Sequence, residues 1–183
     1  MRVVLLAMAG ILFTVHCSAQ TQRAGFIMWP TDARTEKIVF SESVYMPDAS
    51  LTTLYSNAKR FVASTFQGKN DIVIANDSTN TISCKSAFFI PVEELGERGK
   101  GYISYTFTIW CHNNAYRYSL TDLEHFPLNP GGAAGGPLEN ERAVSGGASF
   151  PMKFWTEEKG KCYFLIQDIL EGLKQAMNKG LES

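Results

Sequence analysis

The sequence predicts an α+β domain of two layers, an antiparallel sheet covered on one face by two helices. Three observations predict it. From Tyr102 to Cys111 the chain alternates strictly, with Ile103, Tyr105, Phe107, Ile109 and Cys111 on one side and Ser104, Thr106 and Thr108 on the other. That is the period of a strand with one dry face and one wet face. Leu54, Ala58, Phe61, Val62 and Thr65 recur at helical spacing, as do Cys162, Ile166, Ile169, Leu173 and Met177. The elements follow in the order β-α-β-β-β-β-α, and two amphipathic helices suffice to hide the one apolar face of such a sheet.

The elements read as follows. Residues 20–36 lack periodicity and form a leader segment, with Phe26 to Trp29 packed onto the domain that occupies 37–183. Lys37 to Met46 is rich in β-formers and ends at Pro47-Asp48. Ser50 is placed to cap a helix from about Leu51 to Phe66, which Gly68 stops. Asp71 to Ala75 is a short strand, and the turn residues Asn76 to Asn80 lead to a strand over Thr81 to Pro91. After a charged, glycine-bearing loop (Glu93 to Gly101) comes the Tyr102–Cys111 strand. The turn His112-Asn113-Asn114 leads to a strand from Ala115 to Leu123. These three strands read as a meander. Residues 126–150 hold three Gly-Gly pairs and three prolines and form a long aperiodic loop, a candidate partner-binding segment. A helix from about Lys161 to Leu181 closes the chain, with Glu157 and Glu158 suiting its N-terminal dipole.

Of the 183 residues, 45% are hydrophobic and 19% charged, with a net charge of −1. The length fits one domain, and the apolar fraction excludes disorder. Residues 1–19 have the parts of a secretory signal: the basic start Met1-Arg2, the apolar run Val3 to Val15, and small residues before a cleavage point after Ala19. The run is too short to span a bilayer comfortably, and no later stretch suits a membrane span. A lipid on Cys17 is the lesser alternative, because Val15-His16 suits acylation poorly. Cleavage removes Arg2, leaving 16 basic against 18 acidic side chains, a net −2. No basic run with interleaved aromatics marks a nucleic-acid face. The mature chain keeps Cys84, Cys111 and Cys162, each at a core-facing position. At most one pair of them can bridge, and the sequence does not name it.

Several strings together carry a resemblance. They are Lys37-Ile38-Val39-Phe40, Ser50 to Tyr55, Phe61-Val62 with Phe66, Asp71 to Ile74, Gly101 to Ile109, and Tyr116 to Asp122. In this order and spacing the chain resembles the secreted bacterial domain-of-unknown-function 4468 family, found mainly in Bacteroidota. The resemblance implies a TBP-like fold and export. It brings no catalytic residues, and a TBP-like topology does not carry DNA binding with it. Cys111-His112-Asn113-Asn114 departs from the family's charged turn, and the 126–150 loop is longer than usual.

The strongest polar cluster is Asp122-Leu123-Glu124-His125. In a regular strand Asp122 and Glu124 share one side and His125 takes the other. With His112 they form a weak candidate for a metal or an acid–base pair. Cys111 and His112 are strand neighbours pointing apart, so they make no thiol–imidazole pair. There is no GxSxG, and the GGAAGG segment lacks a P-loop's Gly-Lys-Ser/Thr, so no cofactor is expected. Asp77-Ser78-Thr79 resembles an O-glycosylation signal of exported Bacteroidota proteins, with Ser78 the acceptor. Tyr102, Trp110 and Arg117 fall opposite Ile103 and Phe107, where aromatics on an open sheet face can stack sugars or anchor a partner.

The reading that follows is a non-catalytic binding module of the cell envelope or periplasm. Its partner is an envelope protein or a glycan, held by the open face and the 126–150 loop. The alternatives are a hydrolase or metal-dependent enzyme using Asp122, Glu124 and His125, and a carrier of a small apolar ligand between sheet and helices.

Overall fold

The computed structural model describes residues 27–90, 101–132, 134–143 and 151–180. Residues 1–19, which carry the signal pattern and Cys17, lie outside them, as do Phe26, the Glu93–Lys100 loop, residues 144–150 and Leu181. Within them the order is β1 (Phe40–Tyr45), α1 (Leu51–Thr65), β2 (Ile72–Asn76), β3 (Thr81–Phe89), β4 (Gly101–His112), β5 (Ala115–Pro127), β6 (Gly136–Pro137) and α2 (Met152–Asn178). The strands form one antiparallel sheet in the order β1-β5-β4-β3-β2, with the short β6 added to β5. β1 and β2 run in the same direction at opposite edges. α1 crosses between them, and the meander β2 to β5 brings the chain back beside β1.

Alternation decides which face the helices cover. Ile82, Cys84, Ile103, Phe107, Ile109, Cys111, Leu120 and Leu123 are all within 1% of full burial, and α1 and α2 pack on that side. Burying one such large side chain contributes about 1.5–3 kcal/mol. Phe61 and Phe66 of the α1 region lie edge-on or tilted against Phe107, with centroids 6.4 and 6.0 Å away. The three cysteines among the described residues, Cys84, Cys111 and Cys162, are buried and free. Burial pushes their thiols up to about 12, 11 and 12 for Cys84, Cys111 and Cys162, so they behave as small hydrophobes.

Local chemistry fixes the start of α1 and the end of α2. Ser50 Oγ accepts the Thr53 N–H at 3.1 Å, as an N-cap should. The unusual β4–β5 turn supplies a second tie. Asn113 Oδ1 accepts the Leu51 N–H at 3.0 Å, and the Asn114 N–H donates to the Ala49 carbonyl at 2.9 Å. The departure from the charged-turn pattern therefore clamps the hairpin tip to the start of the helix. Asn114 takes a φ of 62°, which asparagine tolerates better than most residues. At the other end of the molecule, buried Asn57 donates from Nδ2 to the carbonyls of Met177 (3.2 Å) and Lys179 (3.0 Å). It satisfies carbonyls that the last turn of α2 leaves open.

Three boundaries differ from those read in the sequence. β1 starts at Phe40, because Glu36 adopts a φ of 57° and only the Thr31–Ile38 bridge precedes it. Trp29 of the leader does pack inward, edge-on to Phe40 and Tyr163 at 6.0 and 5.5 Å. α2 begins at Met152, nine residues earlier than Lys161, so Glu158 is an interior position of the helix. The described part of the 126–150 segment contains regular structure. β5 runs on to Pro127, β6 pairs Gly136 and Pro137 with His125 and Glu124, and Leu138 is fully buried.

Candidate functional site: the open sheet face

The face away from the helices can be read row by row from the register. Phe126, Tyr102 and Phe89 stand abreast on β5, β4 and β3. Tyr102 stacks on Phe126 at 5.5 Å and 24°, and Phe89 is 57% exposed. Next come Glu124, Ser104 and Ala87, then Thr121, Thr106, Lys85 and Ile72. The row Ser41, Ser119, Thr108, Ser83 and Ile74 crosses all five main strands. Ser83 and Thr108 share a hydroxyl hydrogen bond of 3.2 Å. Last is Ser43, Arg117, Trp110 and Thr81, with the Arg117 guanidinium 5.5 Å from the Trp110 ring centroid. A belt of hydroxyls thus lies between an aromatic row at one end and an Arg–Trp pair at the other. Tyr102 and Trp110 are eight residues apart on one strand, about 26 Å at strand rise.

The structure places Tyr102, Trp110 and Arg117 on this one face, as expected. Phe89 and Phe126 complete the aromatic row, and sequence reasoning misses both. Phe89 alternates with Lys85 and Ala87, which is a usable signal. Phe126 reads in the sequence as the start of the loop.

Asp122, Glu124 and His125 are not brought together. Thr121 pairs with Thr106 and Glu124 with Ser104, so Asp122 and Leu123 together face the single Tyr105. This is a β-bulge, with Asp122 at a φ of 57°. Asp122 leaves the ladder and pairs with Lys37 at 3.1 Å, where both side chains are more than half exposed. Glu124 sits on the open face, and His125 is turned into the core opposite Ile103. His112 is exposed at the far end of β4. Among the described residues no three His, Cys, Asp or Glu side chains are placed to hold a metal ion.

The core instead holds a pair that no sequence motif announces. His125 Nε2 lies 3.5 Å from Glu158 Oε2, with side-chain exposures of 1% and 0%. Nδ1 of His125 accepts the Gly135 N–H at 2.9 Å, which places the neutral ring's proton on Nε2, towards Glu158. Two glycines allow this packing. A Cβ on Gly101 would meet His125 Nε2 at 2.2 Å, and one on Gly135 would meet the Trp155 ring at 2.1 Å. The available signal is spacing: Trp155, Glu158, Cys162 and Ile166 lie on one buried stripe of α2. Burial pushes the Glu158 carboxyl up to about 8 and the His125 imidazole down to about 4. Both are neutral in between, as the cost of burying charge requires.

Residues 40–126 match the family model described as a domain of unknown function (DUF4468) with TBP-like fold. The fold is TBP-like. A crystal structure of a TBP-like protein from Parabacteroides distasonis is similar, with a TM-score of 0.63 and 18% identity, over 81% of this chain and 97% of that one. A DUF4468 family protein from Bacteroides ovatus is similar at a TM-score of 0.60 and 12% identity, over 80% of this chain and 90% of that one. The resemblance read from the sequence and the α+β layering both stand. No curated protein matches the chain. No helix among the described residues is long and apolar enough to cross a membrane.

The buried pair predicts a pH profile. Between about 4.5 and 8 the folded chain holds the Glu158 proton that the unfolded chain has lost, so this group lowers stability as pH rises. Between about 4 and 6.5 the unfolded chain holds a His125 proton that the folded chain lacks, so this group raises stability with pH. The two slopes oppose each other up to about 6.5, and Glu158 acts alone from there to about 8. Urea unfolding at stepped pH should show stability falling over that upper window. Glu158→Gln should flatten the fall. The same slope in the variant contradicts the assignment.

Proposed function

We propose that the protein is a non-catalytic module of the bacterial cell envelope that binds a glycan chain on its open sheet face. One observation carries this reading: aromatic side chains bracket a belt of Ser and Thr hydroxyls on a face that no helix among the described residues covers. Aromatic rings offer flat apolar area to the C–H faces of sugars, and the hydroxyls between them donate and accept hydrogen bonds at the sugar edges. The belt carries few charges, chiefly Lys85, Arg117 and Glu124, which suits a neutral or weakly acidic polymer. The scattering of Asp122, Glu124 and His125 removes the motive for the enzyme reading.

Export belongs to the same proposal. Cleavage after Ala19 would deliver the domain to the periplasm or envelope, where such polymers are found. Ser78 fits as a glycan acceptor, because it lies in the exposed β2–β3 turn. Its hydroxyl donates to Asn76 Oδ1 at 2.6 Å.

Binding is checked by titrating soluble envelope polysaccharide fragments while following tryptophan fluorescence. The protein should saturate, and Tyr102→Ala and Trp110→Ala should each weaken binding about tenfold, a loss of about 1.4 kcal/mol. No saturable binding, or affinities unchanged in both variants, contradicts the proposal. Intact mass of the native protein should show a start at Gln20, with added hexose mass that Ser78→Ala removes. A retained leader, a lipid on Cys17 or an unmodified Ser78 contradicts the corresponding part.

A further inference from the structure

β2 is an apolar strand that the other described residues leave bare. It reads Ile72-Val73-Ile74-Ala75-Asn76, and every residue in it is exposed. Ile72 and Ile74 point to the open face, at 55% and 63% exposure. Val73 points to the helix side, opposite fully buried Cys84, yet is itself 45% exposed. The helical layer therefore stops short of β2. The outer edge of β2 has no strand partner among the described residues. The strand contains no lysine, no proline and no bulge, three of the devices that blunt an edge.

The strand's own sequence indicates its occupant. In an antiparallel pair, residues directly opposite share a face. Two copies of β2 related by a two-fold axis therefore pair only about a residue, not between residues. Centring on Ile74 would set Asp71 against the partner's Asp77, opposing two like charges. Centring on Val73 sets Ile72 against Ile74 of the second copy, and Val73 against Val73. It also brings the Lys69 end of each strand beside the Asp77 end of the other. This register matches apolar to apolar at its centre and Lys69 to Asp77 at its ends, with Asp71 falling opposite Ala75.

We propose that β2 pairs antiparallel with β2 of a second copy of this chain, about a two-fold axis at Val73, joining the two sheets into one. The axis stands perpendicular to the sheet, so both open faces lie on the same side and become continuous. This pairing stands independently of the glycan reading.

Sedimentation equilibrium of the purified protein tests it. The protein should reach twice the chain mass at concentrations up to about 100 μM. Ile72→Lys and Ile74→Glu should each weaken the dimer at least about tenfold, because each buries two unpaired charges in the homodimer. Both side chains are exposed in the single chain, so far-UV circular dichroism should show each variant folded. Mixing the two variants should restore dimers, since the lysine introduced in one then opposes the glutamate introduced in the other. A wild-type monomer across that range overturns the proposal, as does a variant that dimerises like the wild type. Failure of the mixture to recover overturns the pairing about Val73.

Discussion

The structure depends on the strict two-residue alternation of β4. Its odd-numbered side chains from Ile103 to Cys111 are buried, and its even-numbered ones from Tyr102 to Trp110 are only half covered. As the central strand, β4 imposes its parity on β3 and β5 through the register. Both helices then lie on one side, because that side carries the continuous apolar area of the central strands. The crossover of α1 from one sheet edge to the other, and the return of α2 along it, satisfy this requirement. Asn57 ties the helices together by capping the end of α2. The open face is the other half of the same constraint. No helix among the described residues covers it, and its middle rows carry Ser and Thr hydroxyls that water can satisfy.

Local periodicity makes the layering, the element order and three of the open-face residues legible in the sequence. What escapes depends on pairing between strands. The Asp122 bulge exists only in the register between β4 and β5, and it reverses the parity of everything after it in β5. Without it, Leu123 would face solvent and His125 would join the open face. With it, a cluster that looks like a site in the linear sequence is split three ways. Asn113 escapes for a related reason, since its oxygen serves a helix 62 residues earlier in the chain. Glu158 reads as a helix-end residue only while the helix start is placed at Lys161. Moving the start to Met152 puts it one turn above Cys162 on the buried stripe.

The two unusual features of the molecule answer to different physics. The His125–Glu158 pair is neutral, buried and held by glycines at close quarters, which makes it a part of the core that hydrophobic side chains could have supplied. It gives stability a pH dependence without giving the protein an exposed reactive group. The open face and the bare strand β2 are surfaces instead. They are continuous, since Ile72 and Ile74 extend the Thr and Ser rows of β4 and β5 to the sheet edge. A partner bound on the face and a copy paired at the edge would therefore share one surface.

The melting temperatures of Thr108→Lys and Ile109→Lys, measured side by side, test the central claim most directly. The two residues are neighbours on β4 and point to opposite faces. One-sided burial predicts that Thr108→Lys keeps its stability to within about 0.5 kcal/mol, as a surface change does. Ile109→Lys should lose several kcal/mol or fail to fold, as an unpaired buried charge requires. Comparable losses in both variants would mean that the open face is covered, and would contradict the account.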